Sequence, residues 1–342
     1  MRRRDFLRLM ALAPAAGAAE PARPRKVGVL GVAHAHAAGK VAALRALPTL
    51  FEIVGVAEPE TPRQEAARRA AAYQGRAWRT EAELLDDPMV RGVAVETTLA
   101  ASTGTALRAI QAGKHVHLDK PGGTDHAAFA ALRQEAERRG LALQMGYMLR
   151  YNPGLILVRE ALAAGWIGEV TRLEAGMGKL ADAALRRALL AHPGHGMLEL
   201  GCHLVDLTVT LLGAPLAIVA TAEATQPDGL PDRQQAVLRY ARATATLRCD
   251  HADPTARRWL TIEGTRGALR VPNLEGNVVN LELAQAAGPY PAGLTTVRRP
   301  TEGRYDAEFR DWARLLDGVR PRWDAAHDIA VHAAARRAAG LT

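Results

Sequence analysis

The sequence predicts an α/β chain in two parts. The first is a domain built on a parallel sheet with helices on both faces, and the second is an α+β domain with a mostly antiparallel, open sheet. Three observations carry this. Up to about residue 150, apolar runs of strand length alternate with helical patterns at the spacing of β-α-β crossovers. Beyond Pro153, β-rich stretches follow one another across short turns, as in an antiparallel meander. At 342 residues, the chain also exceeds what one ordinary core organises.

The elements follow in order. Residues 1–19 read as an address rather than as structure. Arg2, Arg3 and Arg4 precede Asp5-Phe6-Leu7-Arg8, a short apolar run comes next, and small residues lie around Ala16-Gly17-Ala18. This resembles a twin-arginine export signal and its cleavage region, so an exported, periplasmic protein is expected. Residues 20–26 read as a linker. In residues 27–150, strands are expected at 27–31, 51–57, 90–96, 115–118 and 142–146, with helices at 35–47, 61–73, 103–112 and 127–139. In residues 151–342, a helix is expected over 155–164 and another over 196–212. Strands are expected near 170–177, 217–224, 235–240, 243–250, 259–263, 268–271 and 278–283. The tail from 306 to 339 reads as helical with a break at Pro321, and it is expected to pack back on the first domain.

Composition narrows the function classes. Hydrophobic residues make up 48% and charged residues 23%, values of an ordinary globular chain. No run approaches the roughly 20 apolar residues of a membrane helix. The net charge of +8 owes part of its size to the arginine-rich start, and no basic run interleaves with aromatics, which are only 4% of residues. Nucleic acid is therefore not an expected partner. Cys202 and Cys249 are expected as buried small side chains.

Three segments carry chemistry. The first predicted strand runs into Gly28-Val29-Leu30-Gly31-Val32-Ala33-His34-Ala35-His36. This is the place of a dinucleotide fingerprint, with Gly31 at the tight turn, Ala33 at the second glycine position and His36 at the third. Glu58 ends the next strand, where a carboxylate accepts from ribose hydroxyls and repels a 2′-phosphate. No arginine follows it immediately, so NAD is expected rather than NADP. The second segment is His115-Val116-His117-Leu118-Asp119-Lys120-Pro121, after Ala112-Gly113-Lys114. The third is Gly194-His195-Gly196-Met197-Leu198-Glu199-Leu200-Gly201-Cys202-His203, followed by Asp206. Glu199 and His203 stand at i and i+4, so one helical face should carry both. The chain holds 11 histidines, with H-x-H pairs at His34/His36 and His115/His117. Residues i and i+2 share a strand face, so His115 and His117 could converge on a metal. Pocket histidines are commoner, no cysteine cluster supports zinc, and no metal is expected.

Together these segments closely resemble the Gfo/Idh/MocA family of sugar and polyol oxidoreductases, over about residues 26–340. The second segment is similar to that family's "AGKHV–EKP" stretch, with Asp119 in place of Glu. The third is similar to its glycine-led helix, with Glu199 in place of Asp. The family usually has Thr-Pro and then a His after the third strand; here Thr97 is followed by Thr98, and Ser102 takes the His position. The resemblance implies a Rossmann domain and catalysis by Lys120, His203 and Glu199. Lys120 polarises the reacting oxygen, its pKa depressed by the cofactor's cationic ring. His203 is the acid/base, and Glu199 orients it or the substrate. It implies cofactor contacts from Gly31, Ala33, His34, His36, Glu58, Thr97, Asp119 and Lys120, with His36 donating to the pyrophosphate beside the helix N-terminus. Substrate contacts from Tyr147, Arg150 and His117 are implied more softly. The implied function is NAD-dependent oxidation or reduction at the CH–OH of a sugar, polyol or related carbohydrate, in a homo-oligomer formed through the C-terminal sheet. A redox-neutral NAD-dependent glycosidase or lyase working through a transient keto-sugar is an alternative, as is a non-catalytic binding protein of the same fold.

Overall fold

The structure is a computed structural model that describes residues 23–342. The arginine-rich segment read as an export signal lies outside the described residues. The N-terminal sheet holds β1 (Arg25–Leu30), β2 (Phe51–Ala57), β3 (Gly92–Val95), β4 (His115–Asp119) and β5 (Leu143–Gly146), all parallel, in the order β2-β1-β3-β4-β5. Strand β1 begins inside the expected linker, because Arg25 already pairs with Phe51 and its guanidinium holds Asp317. The crossovers are α1 (Ala37–Ala46), α2 (Thr61–Arg68), α3 (Glu81–Asp86), α4 (Leu99–Gln111) and α5 (His126–Arg138). Helix α3 was not expected from the sequence, although Thr80 and Glu83 form a reciprocal capping box at its start. The apolar runs of β3 and β4 have almost no exposure, as a parallel sheet covered on both faces requires.

The chain then enters α6 (Pro153–Ala163), whose first turn is capped by the Asn152 side chain. Next come β6 (Val170–Gly178), α7 (Ala183–Leu190), α8 (His195–Glu199) and α9 (Cys202–Leu212). The sheet continues with β7 (Ala217–Glu223), β8 (Arg233–Arg239), β9 (Thr244–Asp250), β10 (Arg258–Gly264), β11 (Gly267–Val271), β12 (Val278–Leu283) and β13 (Gly293–Arg298). Its eight strands run β13-β12-β11-β10-β6-β9-β8-β7, antiparallel except for the parallel pair β6–β9. Strand β13 and helix α7 escaped the sequence reading. Strand β13 is a largely exposed edge strand with no apolar alternation to announce it. Both cysteines are free and buried. No helix among the described residues is long and apolar enough to cross a membrane.

The tail does pack back on the first domain. Helix α10 (Asp306–Leu316) sets Phe309 and Trp312 against Phe51 and His117, and α11 (Ala325–Ala338) docks on α5 and α9. The C-terminal ends of the parallel strands therefore face α8 and α9 across a crevice, the usual place for a ligand in an open α/β sheet.

Candidate active site

The crevice has two ends. At the first, a cleft of about 540 Å³ is lined by Gly31, Ala33, Glu58, Arg63, Thr97 and Thr98, among others. Gly31 has φ +84°, and a Cβ there would meet the Thr97 backbone at 2.8 Å, so only glycine lets the turn sit against β3. Glu58 is almost fully buried and accepts from the Val32 N–H at 2.9 Å and the Glu60 N–H at 3.1 Å. The fold also returns an arginine to this carboxylate. Arg63, five residues on, reaches Glu58 at 3.0 Å and Glu60 at 2.8 Å. No arginine follows Glu58 immediately, and Arg63 reaches it instead from the first turn of α2.

At the second end, β4 delivers Asp119 and Lys120. Lys120 is buried, and its ammonium donates to the Glu199 carboxylate at 2.8 Å and to the Glu199 carbonyl at 2.6 Å. Burial alone would lower the lysine pKa, but the adjacent Glu199 carboxylate outweighs it and the net shift is upward. Glu199 holds the group as an ammonium. Burial likewise pushes the Glu199 carboxyl up, and Lys120 together with His34 and His36 more than reverses this, leaving it well below the ordinary range. Asp119 gathers three partners. Its Oδ1 takes the Lys40 ammonium at 2.7 Å, while Oδ2 faces His34 Nδ1 in a short contact and His36 Nδ1 at 3.2 Å. His36 leans toward His203 and Tyr305, with ring centroids 6.5 and 6.1 Å away. Its side chain therefore points to the reaction end, which corrects the expectation that it donates to pyrophosphate.

His203 is buried, with Nδ1 lacking a hydrogen-bond partner. Burial, then the charges of Lys120 and His36, hold its pKa well below the usual 6.5, so the ring is neutral. The expectation of one helix carrying Glu199 and His203 four apart is corrected. Helix α8 ends at Glu199, and the Gly201 N–H bonds back five residues to the Gly196 carbonyl at 3.0 Å. This π-type step adds a residue to the turn and breaks the i,i+4 register. Glu199 then reaches Lys120, while His203 sits deeper, edge-on to Tyr147 at 5.8 Å.

Two implied substrate residues are structural. His117 has no exposure; its Nε2 bonds Glu308 at 2.9 Å, and its ring packs on Phe309 and Trp312 under α10. The period-2 alternation of β4 put it on the sheet face that α10 covers. Arg150 is buried in an interdomain cluster, with Asp206 at 2.6 Å and Asp328 at 2.7 Å, between the rings of Tyr147 and Trp323. Tyr147 is closed off from solvent, although its hydroxyl has no partner and its ring flanks His203. His115 does not join His117 on a metal, since its Nδ1 accepts from the Ala142 N–H at 2.9 Å. The sequence reading missed Lys40, Glu96, Tyr305 and Glu308. Lys40 stands on the buried face of α1 and holds Glu96 at 3.2 Å as well as Asp119. A charged residue at an apolar position of that helix was the available signal.

Known proteins bear on this arrangement. The family described as "Oxidoreductase family, NAD-binding Rossmann fold" matches residues 25–147, and the "GFO/IDH/MocA C-terminal domain" matches residues 155–270. The trans-1,2-dihydrobenzene-1,2-diol dehydrogenase of Oryctolagus cuniculus is 29% identical over 203 residues, 58% of this chain and 61% of that protein. The dTDP-3,4-didehydro-2,6-dideoxy-alpha-D-glucose 3-reductase of Streptomyces violaceoruber is 31% identical over 209 residues, 59% of each chain. These matches span about three fifths of the curated relatives' lengths. Among solved structures, the UDP-N-acetylglucosamine 3-dehydrogenase of Acidithiobacillus ferrooxidans shares the fold with a TM-score of 0.78 at 23% identity, covering 93% of this chain and 98% of that one. With both domains matched to its two characteristic halves, over well more than half of its length, the chain belongs to the Gfo/Idh/MocA family of oxidoreductases.

Proposed function

We propose that the protein is an NAD-dependent oxidoreductase acting on the CH–OH group of a sugar, polyol or related cyclic alcohol. The observation that carries this reading is the buried Lys120 ammonium, held by Glu199 one residue beyond the Asp119 that grips the Gly31–His36 loop. The Gly31 turn and the cleft beside Glu58 fit the adenosine half of a dinucleotide. Residues of this cleft would hold a nicotinamide dinucleotide, which would supply a hydride acceptor or donor for the substrate carbon. The chain's own residues handle the oxygen and its proton. Lys120 stabilises negative charge growing on the substrate oxygen. His203, neutral and with a free ring nitrogen, accepts the hydroxyl proton, and Glu199 fixes the lysine. The diol and sugar substrates named for the relatives support the substrate class.

NAD is favoured over NADP because Arg63 has both its terminal nitrogens engaged by Glu58 and Glu60. A 2′-phosphate would meet two carboxylates before it met a free cation. The arginine-rich start supports twin-arginine export. A compartment without an exchanging nicotinamide pool favours a cofactor that stays bound. We also assign self-association to the C-terminal sheet, whose Val219 and Leu294 are exposed. Extensive dialysis of the purified protein followed by denaturation should release close to one NAD per chain. A chain that releases none and takes up no added NAD would remove the redox reading.

A further inference from the structure

The geometry points to a divalent transition-metal site formed by His34 Nδ1, His36 Nδ1 and Asp119 Oδ2. These donor atoms all lie within 4.8 Å of one another, the one such cluster of three among the described residues. They come from two separate segments, the loop after β1 and the end of β4, so the fold and not sequence proximity brings the carboxylate to the two rings. The expectation of no metal rested on the sequence, where this convergence is invisible.

The contacts at the cluster set two imidazoles against one carboxylate oxygen. His34 Nδ1 and, at 3.2 Å, His36 Nδ1 both face Asp119 Oδ2, and this arrangement calls for a ring proton or a metal ion between the nitrogens and the oxygen. The His36 N–H also points at His34 Nδ1 at 3.2 Å, a contact that an ion on that nitrogen would replace. Lys40 does not supply this charge, because its ammonium is spent on the other oxygen, Oδ1, and on Glu96. Buried polar atoms of this kind are costly when left without such a species. Asp119 as a whole is only 4% exposed, so water does not relieve it.

The donor set selects the ion. Two imidazole nitrogens and one carboxylate oxygen suit Zn²⁺ or Fe²⁺ and are a poor cage for Ca²⁺ or Mg²⁺, which take oxygen ligands. Lys40 on Oδ1 leaves one oxygen for the metal and acts as the outer partner that orients a ligating carboxylate. Three protein ligands leave at least one position open, the pattern of a catalytic and not a structural site. His36 leans toward His203, so an ion held here would stand on the side of the reaction end. There the ion would polarise a substrate oxygen alongside Lys120. The site goes beyond the redox reading, and it stands or falls without the dinucleotide.

Metal binding of the full chain, untagged and stripped with chelator, tests this. Calorimetric titration with Zn²⁺ should show one ion per chain. Titration with Co²⁺ should give visible absorption bands of a low-coordinate site, and Zn²⁺ should abolish them. His34→Gln and His36→Gln should each weaken Zn²⁺ binding at least as much as the roughly 10–100-fold that loss of an outer partner costs. His126→Gln, away from the cluster, should leave it unchanged. Absence of stoichiometric binding in the wild type would overturn the proposal and leave a shared proton as the positive species. Binding that survives both cluster substitutions would overturn it equally. The Co²⁺ spectrum is read on the wild type, so a variant that fails to fold does not blur the result, and no measurement needs NAD.

Discussion

Two buried clusters of charge flank His203, and they are built on opposite principles. At the crevice, Lys120–Glu199 and the group around Asp119 keep capacity for a ligand: His203 Nδ1 has no partner, Asp119 Oδ2 meets only two histidine rings, and the Glu199 side chain keeps 28% exposure. Behind Tyr147, Arg150 is paired with both Asp206 and Asp328, Asp328 takes Arg133 at 3.0 Å, and the whole group is buried. The sequence motifs presented Lys120 as catalytic and Arg150, more softly, as a substrate contact. The difference between them is pairing and exposure. A cation held between two buried carboxylates fixes domain geometry, whereas one whose partner carboxylate opens on a crevice can act on a ligand.

The largest effect that could break this contrast is on turnover. Lys120→Met should lower kcat by about 10²–10⁴-fold, the range of a lost acid/base or electrostatic group, with the melting temperature little changed. Arg150→Met should do the reverse. It leaves Asp206 and Asp328 buried without their cation, so unfolding in urea should show a loss of about 3–5 kcal/mol, with kcat per folded molecule retained. If Arg150→Met instead raised KM at unchanged stability, the guanidinium would belong to the substrate site and the contrast would fail.

A smaller effect sharpens the nucleotide end. Gly31→Val places a branched side chain at φ +84°, where even a Cβ overlaps Thr97. Tryptophan or calorimetric titration should show NAD affinity falling at least tenfold, because the turn that brings backbone to pyrophosphate must shift. Unchanged affinity would mean that the dinucleotide does not use this turn.

Much of this was legible in the sequence. The β1–Gly31 turn, Glu58 at the end of β2 and the candidates Lys120 and Glu199 follow from local patterns with fixed spacing, but it is the structure that pairs Glu199 with Lys120, where the sequence had it orient His203 or the substrate. What escaped depends on which face a side chain takes and on what returns from a distance. His117 shares a strand face with Asp119, two residues on, but at its depth in the sheet α10 covers it with Glu308, Phe309 and Trp312. Asp328, Glu308 and Asp119's partner Lys40 come from segments whose packing no local motif encodes. The π-type step at Gly201 was also invisible, since Gly201 reads equally well as an ordinary helical glycine.

The last effect concerns the closed side alone and is read with pH. His332 lies one turn beyond Asp328 on α11, stacked on Phe129 with centroids 4.5 Å apart, and its Nε2 bonds the Gly123 carbonyl at 3.2 Å. Its other nitrogen faces His126 Nδ1 at 3.2 Å, and Arg336 and Asp125 are the charges nearby. Burial lowers its pKa from 6.5 to about 4, with His126 and Arg336 adding to the shift and the Gly123 carbonyl opposing it. A histidine depressed on folding binds its proton more readily in the unfolded chain. Its contribution is therefore present above pH 6.5 and is lost as pH falls from 6.5 toward 4. The full loss would be about 3 kcal/mol from this one ring. Urea midpoints at pH 7 and pH 4.5 should differ less in His332→Gln, whose amide can still donate to Gly123, than in the wild type. Equal pH dependence in the two proteins would mean that the α5–α11 seam admits the proton freely, and that the buried side of the molecule is less closed than its hydrogen bonding implies.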